Sequence, residues 1–400
     1  MAAPFRSYDI RGLFPEELDE ALAFDAGRAA SRLFGWQKVC VAHDMRPSSP
    51  ALAEALTAGL TRQGVDVEFL GMTSTDMMYL AVLAHGRDAG FMITASHNPA
   101  GYNGIKVVRE RALPVGLDSG LAEIEAEIAR LRSAPASNAA IRGPLRFCSF
   151  WDEYLEILLK QVPPAAMPPF AVTADSGNGM GGRVLMQAAP ALPLKIHHLY
   201  ADPDGTFPHH DANPMEAKNR RELEAAVVQT GSDLGVGFDG DADRAFFVDG
   251  KGVFRPADHV LALLVQRVLR AHPGSAIVYD VRCSRHVTET IERCGGTGYM
   301  GRVGHAHAKP FMMKLGAVLG GELSGHTYFP LLGGVVDSGL LTFLTVLAEL
   351  NHRQVSLEDA LRFDSTWIAS GEINLSVENP AAVLERLLKN HANEGTISQI

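Results

Sequence analysis

At 400 residues the chain is too long for one ordinary core, and 46% hydrophobic with 20% charged residues excludes a disordered or fibrous polypeptide in favour of two to four globular domains. A formal net charge of -10 speaks against an electrostatic hold on nucleic acid or on an acidic membrane surface, so an anionic ligand must meet cations placed locally. Cys40, Cys148, Cys283 and Cys294 form no CxxC pair and lie in apolar or strand-like runs, which points to reduced thiols rather than a disulfide framework or a zinc site.

Near the start, Arg6, Asp9 and Arg11 stand where a signal peptide would need an apolar core, and no run of about 18 apolar residues occurs, so a soluble cytoplasmic protein is expected. From Lys38 the pattern becomes regular. KVCVAHD reads as a strand, SSPALAEALTAGLTRQG as a helix and VDVEFLG as a second strand. The unit returns from Phe170 as FAVTAD, GMGGRVLMQAAP and LKIHHLY, and from Ser275 as SAIVYD, SRHVTETIERCGG and TGYMGRV. Each first strand ends in an aspartate: Asp44, Asp175 and Asp280. Strands alternating with helices of this length need crossover connections, which predicts three doubly wound α/β domains with mostly parallel sheets. In each copy a further helix and strand lead into a polar loop, and loops beyond the carboxyl ends of strands are where such folds place ligands. Three such loops can converge on one cleft.

The first loop, TASHNPAGYNGIK at 94–106, follows the apolar strand GFMI, which delivers Ser96 to a turn closed by Pro99 and Asn103-Gly104. His97 and Lys106 offer a base and a cation, although a Ser-His pair alone does not separate a nucleophile from chance. In the second loop, GFDGDADRAFFVD, Asp239, Asp241 and Asp243 alternate between two apolar strands and can face one side. Hard oxygen donors at that density suit Mg²⁺. An EF-hand for calcium fails, because Arg244 takes the sixth position and Gly250 the twelfth. The alternative is a solvated acidic turn, against which stands the mutual repulsion of three clustered carboxylates without a cation. Arg244 beside them is shaped to hold phosphoryl oxygens. The third loop, GGELSGHTYFP at 320–330, presents Glu322, Ser324 and His326 at alternate positions, a density of hydrogen-bonding groups that reads sugar hydroxyls.

Two motifs carry rival readings. GNGMGG at 177–182 fits the dinucleotide pattern GxGxxG after a strand, but such a turn needs glycine with or without a phosphate, and no ribose-binding acid has a clear strand-end position downstream. His305, His307 and His326 can be grouped as zinc ligands, yet no fourth ligand has suitable spacing, so ordinary hydrogen-bonding histidines are expected. The most apolar stretch, 331–350, holds Asp337 and three glycines near its start and reads as a loop feeding a buried helix. Boundaries are expected near 133–150, 250–258 and 363–371, giving domains at 1–148, 149–254 and 255–366. From Ser370, SGEINLSVENPAAVLERLLKNH reads as a strand and a helix that open a fourth unit at 367–400, too short to bury a core unaided.

Taken together, YDIRG at 8–12, TASHNP at 94–99, DGDADR at 239–244 and GELSGH at 321–326 resemble, in order, the signatures of the α-D-phosphohexomutases of phosphoglucomutase/phosphomannomutase type. The resemblance implies three consecutive doubly wound mixed-sheet α/β domains around a central cleft, then a fourth α+β domain of which 367–400 is the opening fragment. It also implies that Ser96 carries a phosphoryl group, with Asp239, Asp241, Asp243 and a phosphoserine oxygen on Mg²⁺. Ser96 would phosphorylate a hexose 1- or 6-phosphate of glucose or mannose, the hexose 1,6-bisphosphate would turn round in the cleft, and the other phosphate would return to Ser96. Arg244 would offset transition-state charge. Lys106 and His326 are similar to the family's general acid/base candidates. Arg11, Arg282, His305 and Lys309 match positions along the phosphate and sugar paths, while Tyr8, His97 and Asn98 lie within the matched motifs and join the substrate-binding set. Related mutases often have lysine where Arg282 stands, a change that keeps charge but alters geometry. Glu322 and Ser324 would take the O3 and O4 hydroxyls shared by glucose and mannose. Leu323 sides with the Met-like residue of glucose/mannose enzymes rather than the glutamine of phosphoglucosamine mutases. The implied partners are hexose phosphates, with no nucleic acid, no membrane and a monomer favoured.

The sequence departs from the family at its end. Members finish with a domain whose R-x-S-x-T-x-P loop grips the non-reacting phosphate, and no such loop occurs here, as in a shortened gene product. Two other readings stay open: a catalytically silent sugar-phosphate binding protein, and a metal-dependent phosphatase with an aspartate nucleophile in the DGDAD loop. Loss of a multidentate clamp weakens both anchoring and cleft closure, so turnover by this chain is expected to be strongly impaired. Near-normal steady-state kinetics would refute that expectation.

Overall fold

The computed structural model describes residues 4–133, 142–362 and 375–392. Three mixed sheets follow one another along the chain, each built round the first strand of one repeat. In the first, Lys38–His43 lies parallel to both Asp66–Met72 and Ala89–Ile93. Tyr102–Arg109 then runs antiparallel to Ala89–Ile93, Ile10–Leu13 pairs beyond it, and Leu145–Phe147 closes the opposite edge. In the second, Ala171–Asp175 lies between Lys195–Leu199 and Leu234–Phe238, both parallel, followed by antiparallel Ala245–Asp249 and the short Phe254–Arg255. In the third, Ala276–Asp280 lies between Thr297–Gly301 and Leu319–Gly321, after which Thr327–Leu331 and Gly334–Asp337 turn antiparallel.

The three polar loops therefore hold one topological position. Each joins the last parallel strand of its sheet to the first antiparallel one, so the chain leaves the carboxyl edge and turns back beside itself. Met92 pairs with Lys106 across the first reversal, Phe238 with Ala245 across the second and Gly321 with Thr327 across the third.

Strand alternation explains how the sheets weld together. In Lys38–His43, Val39 and Val41 point into a core shared with Leu52, Leu56 and Phe91, beneath the helices Glu20–Phe34 and Ser49–Thr61. Cys40 and Ala42, on the opposite face, join a second core that continues through Met77, Val172, Phe238, Leu261 and Phe343, and so through all three units. The apolar run expected to form a buried helix is the helix Gly339–Arg353, buried on nearly every side because it lies against elements of the second and third units. Its lead-in differs from the expected loop. Leu332 and Gly333, both at positive φ, make a two-residue turn, and Gly334–Asp337 is a strand. Near the end of the chain the helix Pro380–His391 forms, capped by Asn379 on the Ala382 amide, with no buried residue. Leu375, Ser376 and Val377 join no ladder; the rest of the strand expected there, and the boundary near 363–371, lie outside the described residues. Among the described residues no helix is long and apolar enough to cross a membrane.

One fully buried carboxylate touches all three units. Asp76, in the first turn of the helix Thr75–Ala84, accepts from Ser74 (2.5 Å), from Tyr154 on the helix Trp151–Gln161 (2.8 Å) and from Ser338, the cap of Gly339–Arg353 (2.5 Å). Burial pushes its carboxyl up to about 6, against the three hydrogen bonds that favour the charged form. Since the folded value exceeds the unfolded one, this group's stabilising contribution is complete below about pH 4 and fades as pH rises through about 6. Asp76→Ala strands three buried hydroxyls and is expected to lower stability by about 3–5 kcal/mol in denaturant unfolding. Relative to Asp76→Asn, the native chain should gain stability as pH falls from about 7 to 5, at up to about 1.4 kcal/mol per pH unit. A difference independent of pH would remove Asp76 from the titration.

Candidate active site

The strand-end aspartates begin the site by shaping the backbone. Asp44, Asp175 and Asp280 each accept the amide two residues ahead, from Arg46 (2.9 Å), Gly177 (2.9 Å) and Arg282 (2.8 Å). These side-chain turns bend the chain at the same point of each sheet. The reversal loops rise beside them, and a cavity of about 390 Å³ opens where they meet, lined by Ser96, Lys106, Arg244, Arg282, Glu322 and His326 among others.

Ser96 sits in this cavity at φ 51°, a left-handed conformation that a non-glycine residue adopts only when its surroundings impose it. Thr94 Oγ1 takes its amide at 2.9 Å. Its Oγ donates to Asp239 Oδ2 at 2.9 Å and receives Arg244 Nη2 at 2.9 Å. His97 Nδ1 lies 3.2 Å away, but Arg244 bonds to that nitrogen too. The charge of Arg244, together with burial, pushes His97 down to about 2, so its ring is neutral, and with Arg244 on Nδ1 it is a weak base on the side that faces the serine.

The three loop aspartates are buried, as a solvated acidic turn would not be. Arg244 grips Asp239 through Nε (2.8 Å) and Nη2 (2.6 Å), and Lys106 Nζ bridges Asp241 and Asp243 at 2.7 Å each. Thr75 Oγ1 donates to Asp241 at 2.5 Å. Burial pushes Asp239 up to about 7 despite Arg244. Burial also acts on Asp241, but the charge and hydrogen bond of Lys106 overcome it and hold that carboxyl far below the usual range. Two permanent cations thus face three carboxylates, and the Oδ1 atoms of Asp241 and Asp243 are buried without a hydrogen-bond partner. The three side chains offer oxygen atoms within 4.8 Å of one another. An all-oxygen donor set with residual negative charge and unsatisfied acceptors fits a hard divalent ion.

From the third sheet, Glu322 accepts from the Gly304 amide (3.0 Å) and Tyr328 (2.5 Å) on Oε1, and from Ser324 (2.7 Å) on Oε2. Arg282 is held by Asp280 at 2.6 Å and stands 3.6 Å from Glu322. Arg244 and His326 form an isolated antiparallel bridge that ties the second loop to the third. Tyr8 closes the first unit onto the third by donating to the Val303 carbonyl at 2.9 Å, its ring near His305 and His307. Arg11 lines the cavity and bonds Asn98 Oδ1 at 2.7 Å, whereas Asn98 itself stands outside the lining. Lys309, expected on the sugar path, is fully buried behind the wall, with Nζ 2.6 Å from Asp337 and 3.7 Å above the Tyr79 ring; its cation is consumed by that carboxylate. Asp337 also lies 2.8 Å from His326 Nδ1. Burial lowers the imidazole, but Asp243 and Asp337 outweigh it and raise His326 above its ordinary value.

Sequence reasoning missed Asp337 and Thr75. The only signal for Asp337 was a lone carboxylate in an otherwise apolar hairpin, and Thr75 gave none beyond a helix start. The glycine-rich turn at 177–182 has a different use from phosphate binding. The amides of Gly177, Asn178, Gly179 and Met180 already bond to Asp175, Tyr200, Ser176 and Gly240. The turn thereby supports the acidic loop from below, and a Cβ on Gly179 would lie 2.9 Å from the Gly240 carbonyl oxygen.

Three family profiles, described as Phosphoglucomutase/phosphomannomutase, alpha/beta/alpha domains I, II and III, match residues 3–135, 152–252 and 256–365. The chain belongs to the phosphoglucomutase/phosphomannomutase family. It is similar to a phosphomannomutase of Salmonella montevideo, 37% identical over 399 residues that cover 98% of this chain and 86% of that one. It is also 36% identical over 393 residues to a protein of Xanthomonas campestris pv. campestris named phosphohexose mutases, with 98% and 86% covered. Among solved structures, a phosphoglucomutase/phosphomannomutase family protein of Burkholderia thailandensis superposes with a TM-score of 0.80 at 32% identity, covering 87% of this chain and 77% of the other. In this member of the family, the serine and acidic loops touch at Gly240, where a Cβ would lie 2.3 Å from the Ser96 carbonyl oxygen. Gly240→Ala is therefore expected to cost about 1–3 kcal/mol and to weaken divalent-ion binding, as read by thermal unfolding and calorimetric titration. Unchanged ion affinity would show that the loop contact does not shape the acidic site.

Proposed function

We propose that the chain interconverts hexose 1-phosphate and hexose 6-phosphate, of glucose and/or mannose, through phosphorylated Ser96 and a hexose 1,6-bisphosphate. The observation that carries this reading is the Ser96 Oγ held in the cavity between Asp239 and Arg244. In the first step a sugar hydroxyl attacks the phosphorus on Ser96, the bond from phosphorus to Oγ breaks, and the hydroxyl proton passes to a base. Reversed on the other phosphate, the same chemistry restores phosphoserine. Arg244 Nη2, already 2.9 Å from Oγ, offsets the charge that develops on that oxygen. His326, on the cavity wall and held at Nδ1 by Asp337, is the proton carrier on the sugar side. Lys106, bridging two carboxylates, keeps the acidic loop in place.

Asp239, Asp241 and Asp243 would hold Mg²⁺ with an oxygen of the phosphoserine. When bound, the ion supplies positive charge to the transferring phosphoryl group. Arg11 and Arg282, both on the cavity wall, offer charge to the phosphate that is not reacting. Glu322 spends two of its acceptor sites on Oε1 and one on Oε2, which leaves a lone pair of Oε2 for a sugar hydroxyl. One acceptor beside Ser324 suits the O3 and O4 pair shared by glucose and mannose.

The test is intact mass before and after incubation with Mg²⁺ and glucose 1,6-bisphosphate. A gain of one phosphate, absent in Ser96→Ala, is expected, together with a loss of exchange between the sugar phosphates by roughly 10⁴-fold or more in that variant. No gain in folded protein would oppose the reading and favour a silent binder. Hydrolysis that survives Ser96→Ala but not Asp239→Asn would favour a phosphatase.

A further inference from the structure

Arg46 lies outside every motif that marks the site, yet it is wholly buried and both its terminal nitrogens are spent on a single loop. Nη1 donates to the carbonyls of Pro99 (2.8 Å) and Tyr102 (2.9 Å), and Nη2 to those of Ser96 (3.0 Å) and Asn98 (2.5 Å). Nε stands 3.2 Å from Asp44 Oδ2, while Asp44 Oδ1 accepts the Arg46 amide at 2.9 Å and Ser49 Oγ at 2.6 Å. Beneath the guanidinium, 5.2 Å from its carbon, lies the ring of Phe207 from the second unit.

Four carbonyl oxygens within seven residues of chain converge on one point. Their dipoles repel one another, and buried carbonyls left without donors would open the loop towards water. A planar guanidinium supplies the donors in fixed directions, which the three donors of an ammonium on one nitrogen cannot reproduce. The same grip bears on Ser96 itself. Its carbonyl is taken by Arg46 and its amide by Thr94, so the peptide planes on either side are both held while the residue keeps φ 51°. With both planes fixed, Cβ and Oγ point at Asp239 and Arg244.

We infer that Arg46, oriented by Asp44, is the positioning residue of the Ser96 loop, an internal cation around which that loop is wound so that the nucleophile meets the acidic site. Its role in transfer rests on Ser96 being the phosphoryl carrier. Its role in loop order does not. Arg46 touches neither Oγ nor the carboxylates that receive it, so its loss acts on the placement of Ser96 and not on sugar binding by the third loop.

Two readouts on Arg46→Lys test this: peptide-level hydrogen exchange, and single-turnover phosphate transfer from glucose 1,6-bisphosphate to Ser96, with sugar-phosphate affinity measured by calorimetry. Lysine keeps the charge beside Asp44 but not the fork. The expected result is loss of protection confined to residues 94–104, transfer slowed roughly 100-fold, and affinity little changed. Asp44→Asn, which keeps Arg46 but loosens its Nε anchor, should give the same pattern at smaller size, and it carries the test if the lysine variant does not fold. Native exchange and native transfer in either variant overturn the proposal, as does loss of protection spread over the whole first sheet. If the unmodified chain takes up no phosphate at Ser96, the carrier reading fails, and exchange at 94–104 alone decides the hold of Arg46 on the loop.

Discussion

The structure depends on a balance of buried charge that none of its three sheets holds alone. Asp239, Asp241 and Asp243 come from the second sheet, Lys106 from the first, and Lys309, His326 and Asp337 from the third. Four carboxylates face the permanent cations Lys106 and Arg244, the Lys309 ammonium, which burial makes more acidic than usual, and His326 when protonated. Each group on its own would lose far more from dehydration than packing returns, so the charges tolerate burial only in one another's company. The arrangement of the sheets is thus as much an electrostatic requirement as a packing one. Removing one partner leaves the rest uncompensated.

Apolar packing makes such a centre affordable. Cys40 and Ala42 turn away from the first sheet's own helices to meet Met77 and the core of the other two units, so the sheets share an interior rather than abut. Asp76 adds a polar junction at that seam, joining Ser74, Tyr154 and Ser338. With the seam buried, the charges above it act at close range through a medium that screens them weakly.

Much of this was legible in the sequence, and the limits are physical. The repeats gave three α/β units because strand and helix periods are local properties, and the motifs stood out because Ser96, the three aspartates and Glu322 lie on short contiguous loops. The lead-in at 331–333 read as a loop because glycine and leucine at positive φ look like irregular chain, whereas they make a tight turn between strands. Lys309 was matched by the family resemblance to the phosphate and sugar paths, but its direction depends on Asp337, which comes from a strand far along the chain from its helix. Thr75, Asp76, Asp337 and Arg46 share one reason for escaping notice. Each is a single polar residue whose deciding partners lie on distant segments, Asp241 for Thr75, Tyr154 and Ser338 for Asp76, Lys309 and His326 for Asp337 and the 96–102 carbonyls for Arg46, so spacing along the chain carries no trace of them.

The strand-end aspartates show how such a chain can diversify. All three fix the same bend with one carboxylate oxygen, and the other oxygen is spent differently: Asp44 faces Arg46, Asp175 faces His210 at 3.2 Å, and Asp280 faces Arg282. The bend is a socket, and the group plugged into it can be exchanged without recutting the sheet. In the first unit the plug holds the carbonyls of the Ser96 loop, and in the third it brings a guanidinium to the cavity. The socket takes its group from two residues ahead in the first and third units and from a distant loop in the second, and the bend is the same in all three.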